Sequence, residues 1–283
     1  MKHLPFLLLV CSVLLFAGCE EIPPVINPIM EGENQDVVIP PVDDQEKQVL
    51  IEEFTGVTCV NCPAGSAAIE ELIDVHEEQL IAVSIHAGSF STPYPESLYD
   101  FRVPEGVSLL DFVGQPLGYP TAVVDRKFFD GEVDLHLFRS QWAGFIDVQL
   151  ESSPTVRIGI GKIYDEDTRE LNIGVGINVD ETITSEDVRI SVMILENDIV
   201  DYQLTPDGKQ EDYKHKHVLR TMLTAFDGNQ IGEPLDAGDV IEKFYTTTLP
   251  EEYQADKCTI VAFVNLGGDS QEVLQAEQVK IME

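Results

Sequence analysis

Gln48-Val49-Leu50-Ile51-Glu52-Glu53-Phe54-Thr55-Gly56-Val57-Thr58-Cys59-Val60-Asn61-Cys62-Pro63 is the stretch on which the fold turns. Residues 48–54 carry Val49, Leu50, Ile51 and Phe54 and read as a strand, and 55–58 as a turn. Beyond Pro63, the residues Ile69, Leu72, Ile73 and His76 fall at i, i+3, i+4 and i+7, one face of a helix. Residues 80–86 are a second, nearly continuous apolar strand. The pattern is a βαβ unit with a CxxC pair at the start of its helix. Two cysteines at this spacing can close a small disulfide. The backbone N–H groups and dipole of the helix start favour a thiolate there. Pro63 stands in the first turn, where its missing N–H costs nothing.

This arrangement resembles thioredoxin. Thioredoxins place a buried acid and a Phe six and five residues before the first Cys, where this chain has Glu53-Phe54. They also place a cis-Pro followed by Thr ahead of a strand facing the disulfide, and Gly118-Tyr119-Pro120-Thr121-Ala122-Val123-Val124-Asp125 matches that. The resemblance implies Cys59 as nucleophile, Cys62 as resolving thiol, Glu53 as proton relay to Cys62, and Pro120 as the shaper of a peptide groove. Thr58 stands where thioredoxins carry Trp. Residues 87–117, with Pro93, Pro95, Pro104 and Pro116, read as an insertion beside the site, and 133–150 as a closing helix. His86 reads either as a tuner of the thiolate or as a plain strand-end histidine. The CxxC has two further readings: a purely structural disulfide, and half of a zinc site without a second pair of ligands.

The chain opens with Met1-Lys2-His3, then an apolar run at 4–16 interrupted by Pro5 and Ser12, then Ala17-Gly18-Cys19. The run is too short to span a bilayer comfortably and suits a signal peptide. Ala17-Gly18-Cys19 resembles a bacterial lipobox, with Phe16 where Leu is usual; an ordinary secretory signal is the alternative. The resemblance implies a signal peptide over 1–18 and an acylated, palmitate-bearing Cys19. Residues 20–46 hold eight acidic residues, no Lys or Arg, and Pro23, Pro24, Pro28, Pro40 and Pro41. Such a segment buries little, so 19–47 is expected to be an extended tether, cut first by proteases, with a reach of roughly 80 Å as polyproline II or about 30 Å as a coil. Glu20-Glu21 resembles the surface-export signal of Bacteroidetes lipoproteins.

Charge narrows the function classes. The 283 residues carry 17 Lys+Arg against 51 Asp+Glu, a formal net charge of −34. That argues against nucleic acid or anionic lipid as partner through a basic face. The length fits two cores better than one. The single long apolar run, at the N-terminus, excludes a polytopic membrane protein.

From Ser152 the pattern changes to period two. Val156, Ile158 and Ile160 alternate with other residues, then Leu171, Ile173, Val175, Ile177 and Val179, then Val188, Ile190, Val192 and Ile194. Further strands are expected at 218–224, 240–249, 259–265 and 273–281. Seven short strands separated by turn signals predict an Ig-like antiparallel β-sandwich. The expected fold is therefore α/β plus all-β: a thioredoxin-like domain over 48–151 and a sandwich over 152–283. Cys258 opens an apolar run and reads as a buried strand residue. His215-Lys216-His217 puts two imidazoles on one strand face, too few for a metal site and expected to be a solvated strand start. No cofactor or metal is expected.

Taken together, 48–283 resembles Bacteroidetes lipoproteins of the twenty-eight-kilodalton outer-membrane-protein type. The residues that carry this are Glu52-Glu53-Phe54-Thr55-Gly56-Val57-Thr58-Cys59-Val60-Asn61-Cys62-Pro63, Tyr119-Pro120-Thr121 and Tyr213-Lys214-His215-Lys216-His217-Val218-Leu219-Arg220. The resemblance implies lipid anchoring in the outer membrane, at its periplasmic face or the cell surface. Two functions stay open. One is a thiol-disulfide oxidoreductase acting on the thiols and disulfides of exported proteins. The other is a non-catalytic lipoprotein binding a surface ligand, its CxxC a brace.

Overall fold

The computed structural model describes residues 30–31, 36–232 and 234–282. The expected signal peptide, Cys19 and the first part of the expected tether lie outside them.

The first half is built as β2 (Val49–Thr55), α1 (Cys62–His76), β3 (Leu80–His86), α2 (Pro104–Val113), β4 (Thr121–Val124) and α3 (Trp142–Leu150), after a two-residue β1 (Met30–Glu31). β2 runs parallel to β3 and antiparallel to β4. Both faces of this sheet are covered, which is why β2 and β3 are buried at every position. α1 turns Cys62, Gly65 and Ile69 inward. With α3 it closes a core holding Val49, Ile51, Leu80, Val124, Trp142 and Ile146.

Two expectations over this half change. Residues 104–113 form α2 rather than an irregular insertion; Pro104 opens the helix and Gly114, at φ 96, ends it. The closing helix begins at Trp142, not at 133. Leu137 bridges Ala122 and accepts a bond from Trp142 Nε1 (3.0 Å), which holds the preceding stretch extended.

The second half contributes β5 (Val156–Tyr164), β6 (Glu170–Val179), β7 (Val188–Glu196), β8 (Ile199–Thr205), β9 (Gly208–His215), β10 (Val218–Met222), β11 (Asn229–Gly232), β12 (Val240–Thr248), β13 (Cys258–Leu266) and β14 (Val273–Lys280). A four-stranded sheet in the order β1-β12-β6-β5 packs on β7, β13 and β14 as a β-sandwich. Cys258 is buried at the start of β13, and burial pushes its thiol up to about 12.

β7, β13 and β14 do not stop at the sandwich. The larger sheet runs β14-β13-β7-β10-β3-β2-β4, with β11 also on β7, so the two halves share one sheet through β10, which lies parallel to β3. The far face of β7 and β13 supplies Met193, Leu195, Val261 and Phe263 to a core that also holds Leu50, Phe54, Ile81 and Leu109. The expected division at 151/152 is thus a change of pattern within one packed body.

The described end of the expected tether is packed too. Val37 is buried, and residues 37–40 cross a floor made by Gly159, Gly161, Gly174 and Gly176 on β5 and β6. Arg157 Nη1 donates to the carbonyls of Val42 and Asp43, and buried Lys47 pairs with Asp125 (2.8 Å). A free tether through residue 47 therefore does not describe 36–47: glycine removes the side chains that would have kept this segment off the sheet.

Candidate functional site: a covered disulfide

Cys59 and Cys62 form a disulfide, with Cα atoms 5.4 Å apart. Cys59 lies in the turn before α1, its N–H donating to Gly56 O (3.1 Å), and Cys62 is the first residue of the helix. A nucleophilic cysteine is ordinarily solvent-accessible. Here Cys59 is 3% and Cys62 1% exposed. On one side the covering comes from the loop after β3, where Phe90 O accepts from Thr58 N (3.0 Å) and Thr58 Oγ1 (2.9 Å). Gly56 permits this approach, since a Cβ there would collide with the Phe90 carbonyl. On the other side lies the β8–β9 hairpin. Gln203 Nε2 donates to Cys59 O (3.1 Å) and Gly56 O (3.3 Å), and Leu204 N to Val57 O (2.8 Å).

Behind the disulfide is a cavity of about 260 Å³ that Cys62 shares with Glu53, Ser66, Ser84, Gln203 and Tyr213. Glu53 is fully buried on β2. Ser66 and Ser84 hydroxyls donate to one of its oxygens (3.4 Å each), while Oε1 has no partner. Burial outweighs those two bonds and pushes the Glu53 carboxyl up to about 8. Gly65 seats the helix on this group: a Cβ there would stand 2.5 Å from Glu53 Oε1 and 2.8 Å from Pro120 Cβ and Cγ. Pro120 follows a cis peptide bond from Tyr119 and lines an open groove of about 570 Å³ with Asn61, Ala64, Phe138 and Arg139. The four residues singled out from sequence thus meet around the first turn of α1. Gly65, Ser66, Ser84 and Gln203 were missed. Gln203 comes from the second half, 144 residues from Cys59, and no local pattern could have found it.

His86 ends β3, as one of its two readings has it, whereas His215 and His217 are placed differently from expectation. His86 is buried, its ring against Phe101 (4.8 Å) and His215 (5.6 Å), and burial holds it well below the ordinary imidazole range. His215 ends β9 buried, and burial brings it down to about 4. His217 does not share its strand face: at φ 54 it has left β9, and its Nε2 meets Glu70 Oε1 (2.9 Å). That bond, with Lys216, holds Glu70 down at about 2.

A family model described as "Outer membrane protein Omp28" matches residues 115–283, more than half of the chain, and begins after the CxxC. No curated protein matches significantly. Among solved structures, HBP35 of Porphyromonas gingivalis superposes with a TM-score of 0.63 at 20% identity, covering 83% of this chain and 75% of that one. A structural-genomics protein of Agrobacterium tumefaciens gives 0.52 at 15% identity, covering 85% and 97%. A domain of the outer membrane lipoprotein Omp28 from P. gingivalis is 24% identical over 45% of this chain and 96% of its own, with a TM-score of 0.29. Among the described residues no helix is long and apolar enough to cross a membrane.

Proposed function

Because the chain belongs to the Omp28 family of outer membrane proteins, we propose that it works at the outer membrane as a lipid-anchored thiol-disulfide exchange protein with a thioredoxin-like site. Cys19 is the anchoring residue in this reading. Two or three acyl chains hold a protein stably, at about 0.8 kcal/mol per buried CH₂. A Cys19→Ala variant should lose palmitate label and leave the membrane fraction.

One observation carries the exchange reading: Cys62 and Glu53, whose buried Oε1 is unpaired, line one cavity beside the start of a helix. A substrate thiolate attacks Cys59 Sγ, the Cys59–Cys62 bond breaks, and Cys62 leaves as a thiolate. Glu53, protonated at neutral pH, supplies the proton that neutralises it. A second substrate thiolate then displaces Cys59, so two substrate thiols become a disulfide and the protein becomes a dithiol. Run in reverse, Cys59 attacks a substrate disulfide and Cys62 resolves the mixed disulfide while Glu53 takes its proton. The groove at Pro120 is the seat for an extended segment of the exported substrate.

The near-complete burial of both cysteines favours a second reading, in which the disulfide braces α1 in a protein that binds a surface ligand. A Cys62→Ser variant separates the two. Exchange predicts covalent, reductant-sensitive complexes with exported proteins on a non-reducing gel, absent from Cys59→Ser. If neither variant traps a partner and the wild type exchanges with no protein dithiol, the brace reading stands.

A further inference from the structure

We infer that the β8–β9 hairpin is a flap over the disulfide, and that Gln203 is the positioning residue that latches it closed. The use of the flap rests on the exchange reading above; the closure itself rests on geometry.

β8 and β9 pair with each other and form a sheet of their own, outside both sheets of the sandwich. Three sets of contacts tie the hairpin to loops beside the disulfide, while at its base the His215 ring packs on His86 (5.6 Å) and Phe101 (4.6 Å). Gln203 and Leu204 bond the carbonyls of Gly56, Val57 and Cys59. The Asp201 carboxylate accepts from the N–H groups of Leu98 (3.2 Å) and Tyr99 (2.9 Å). At the tip, Lys209 meets Glu96 (3.2 Å) and lies over the rings of Tyr94 (5.0 Å) and Tyr202 (4.7 Å).

The buried side chains of the hairpin are Ile199, Asp201, Gln203 and His215. Three of the four are polar. Lifting the hairpin beyond its Ile199–His215 base therefore exchanges mainly hydrogen bonds with protein for hydrogen bonds with water. That is the profile of a low-energy local opening rather than of global unfolding. The base stays fixed: Ile199 and Val218 pack with Val57 and Phe101, and β10 is held between β7 and β3. The same motion would open the cavity, because Gln203 and Tyr213, beyond the Ile199–His215 pair at the base, line it together with Glu53 and Cys62. With the flap down, Cys59 is only 3% exposed, too little for a protein thiol to reach it.

The test is the rate at which dithiothreitol reduces Cys59–Cys62 in the folded, full-length protein, read by alkylation and mass. It is run on wild type, Gln203→Ala, Gln203→Glu and Lys209→Ala, with urea unfolding of each for comparison. Loss of the latch should speed reduction about tenfold in Gln203→Ala, the ratio that one net hydrogen bond supports. Gln203→Glu fills the same space but cannot donate to carbonyls once ionised. It should be as fast as the alanine variant at neutral pH and slow toward wild type in acid, where the protonated carboxyl donates again. A mere packing role predicts wild-type rates for Gln203→Glu at every pH. Lys209 is exposed, so its variant keeps the test alive if the Gln203 variants fail to fold; it should reduce faster than wild type. Rates within twofold of wild type, or rates that simply follow global stability, overturn the flap. Faster reduction in variants that trap no protein substrate would keep the flap and sink the exchange reading. Protein exchange at equal rates in all variants would do the opposite.

Discussion

Glu53 is fully buried with one oxygen unpaired, so its proton is tied to the fold. Its ordinary value of 4.5 is pushed up to about 8 by burial. Between those two pH values the folded protein holds a proton that the unfolded chain has released. Stability is therefore greatest below the lower value and falls as pH rises through the upper one, by about 1.4 kcal/mol per pH unit at the steepest. Glu53→Gln keeps the shape and removes the titration. Urea unfolding should show the wild type losing ground to this variant steadily from pH 5 to pH 8, and parallel curves would mean that Glu53 ionises freely in the fold. The acid itself was legible through the resemblance to thioredoxins, which place a buried acid six residues ahead of the first Cys, where this chain has Glu53. Its partners were not. Gly65, Ser66 and Ser84 matter only because α1 lies across β2 and β3 at a distance that Gly65 sets.

The elements that were legible are those whose sequence carries a run or an alternation of apolar residues: β2, β3 and the long strands β5, β6, β7, β13 and β14. The missed ones break the pattern for physical reasons. α2 is bounded by Pro104 and Gly114, which act as helix start and stop but read as breakers inside a loop. β9 presents Gly208-Lys209-Gln210-Glu211-Asp212 to solvent and so has no apolar alternation to find. Residues 36–47 carry the composition of a tether, yet four glycines on two other strands leave room for them. That seat is testable. A Cβ at Gly174 would stand 2.9 Å from Ile39 Cγ1, 3.1 Å from Phe244 Cε1 and 3.2 Å from Val37 Cγ1. Gly174 has no positive φ, so Gly174→Val acts through space alone. It should cost about 1–3 kcal/mol, as overpacking does. Limited proteolysis should then cut within 36–44 well before the rest of the body, whereas wild type resists there. Equal protection in both would show that the glycine floor does not hold this segment.

At the scale of the whole molecule, the change of pattern near residue 152 suggests two bodies, while the packing joins them. β10 inserts between β7 and β3, and Phe54, Ile85, Leu195 and Phe263 share one core. Polar contacts cross the same boundary. Gln48 N donates to Gln275 Oε1 (2.9 Å), Val273 N to Asp125 O (2.7 Å), and the buried Arg126 guanidinium lies over the Phe263 ring (4.9 Å). Arg126 is also paired in bidentate fashion with buried Glu52 (2.7 Å for both bonds). Separating the halves would expose one face of β7 and β13 to water and break the bonds that cross the boundary, so the two are expected to unfold together. The chain holds a single Trp, Trp142, buried in the first half, while most strands that dominate far-UV circular dichroism lie in the second. Trp142 fluorescence and circular dichroism should therefore report one coincident unfolding transition in urea. Arg126→Ala leaves Glu52 as an unpaired buried charge and should lower the stability seen by both probes together, by about 3–5 kcal/mol. A fluorescence transition that precedes or follows the dichroism change, or an Arg126→Ala shift confined to fluorescence, would mean that the first half unfolds on its own and that the shared sheet does not couple them.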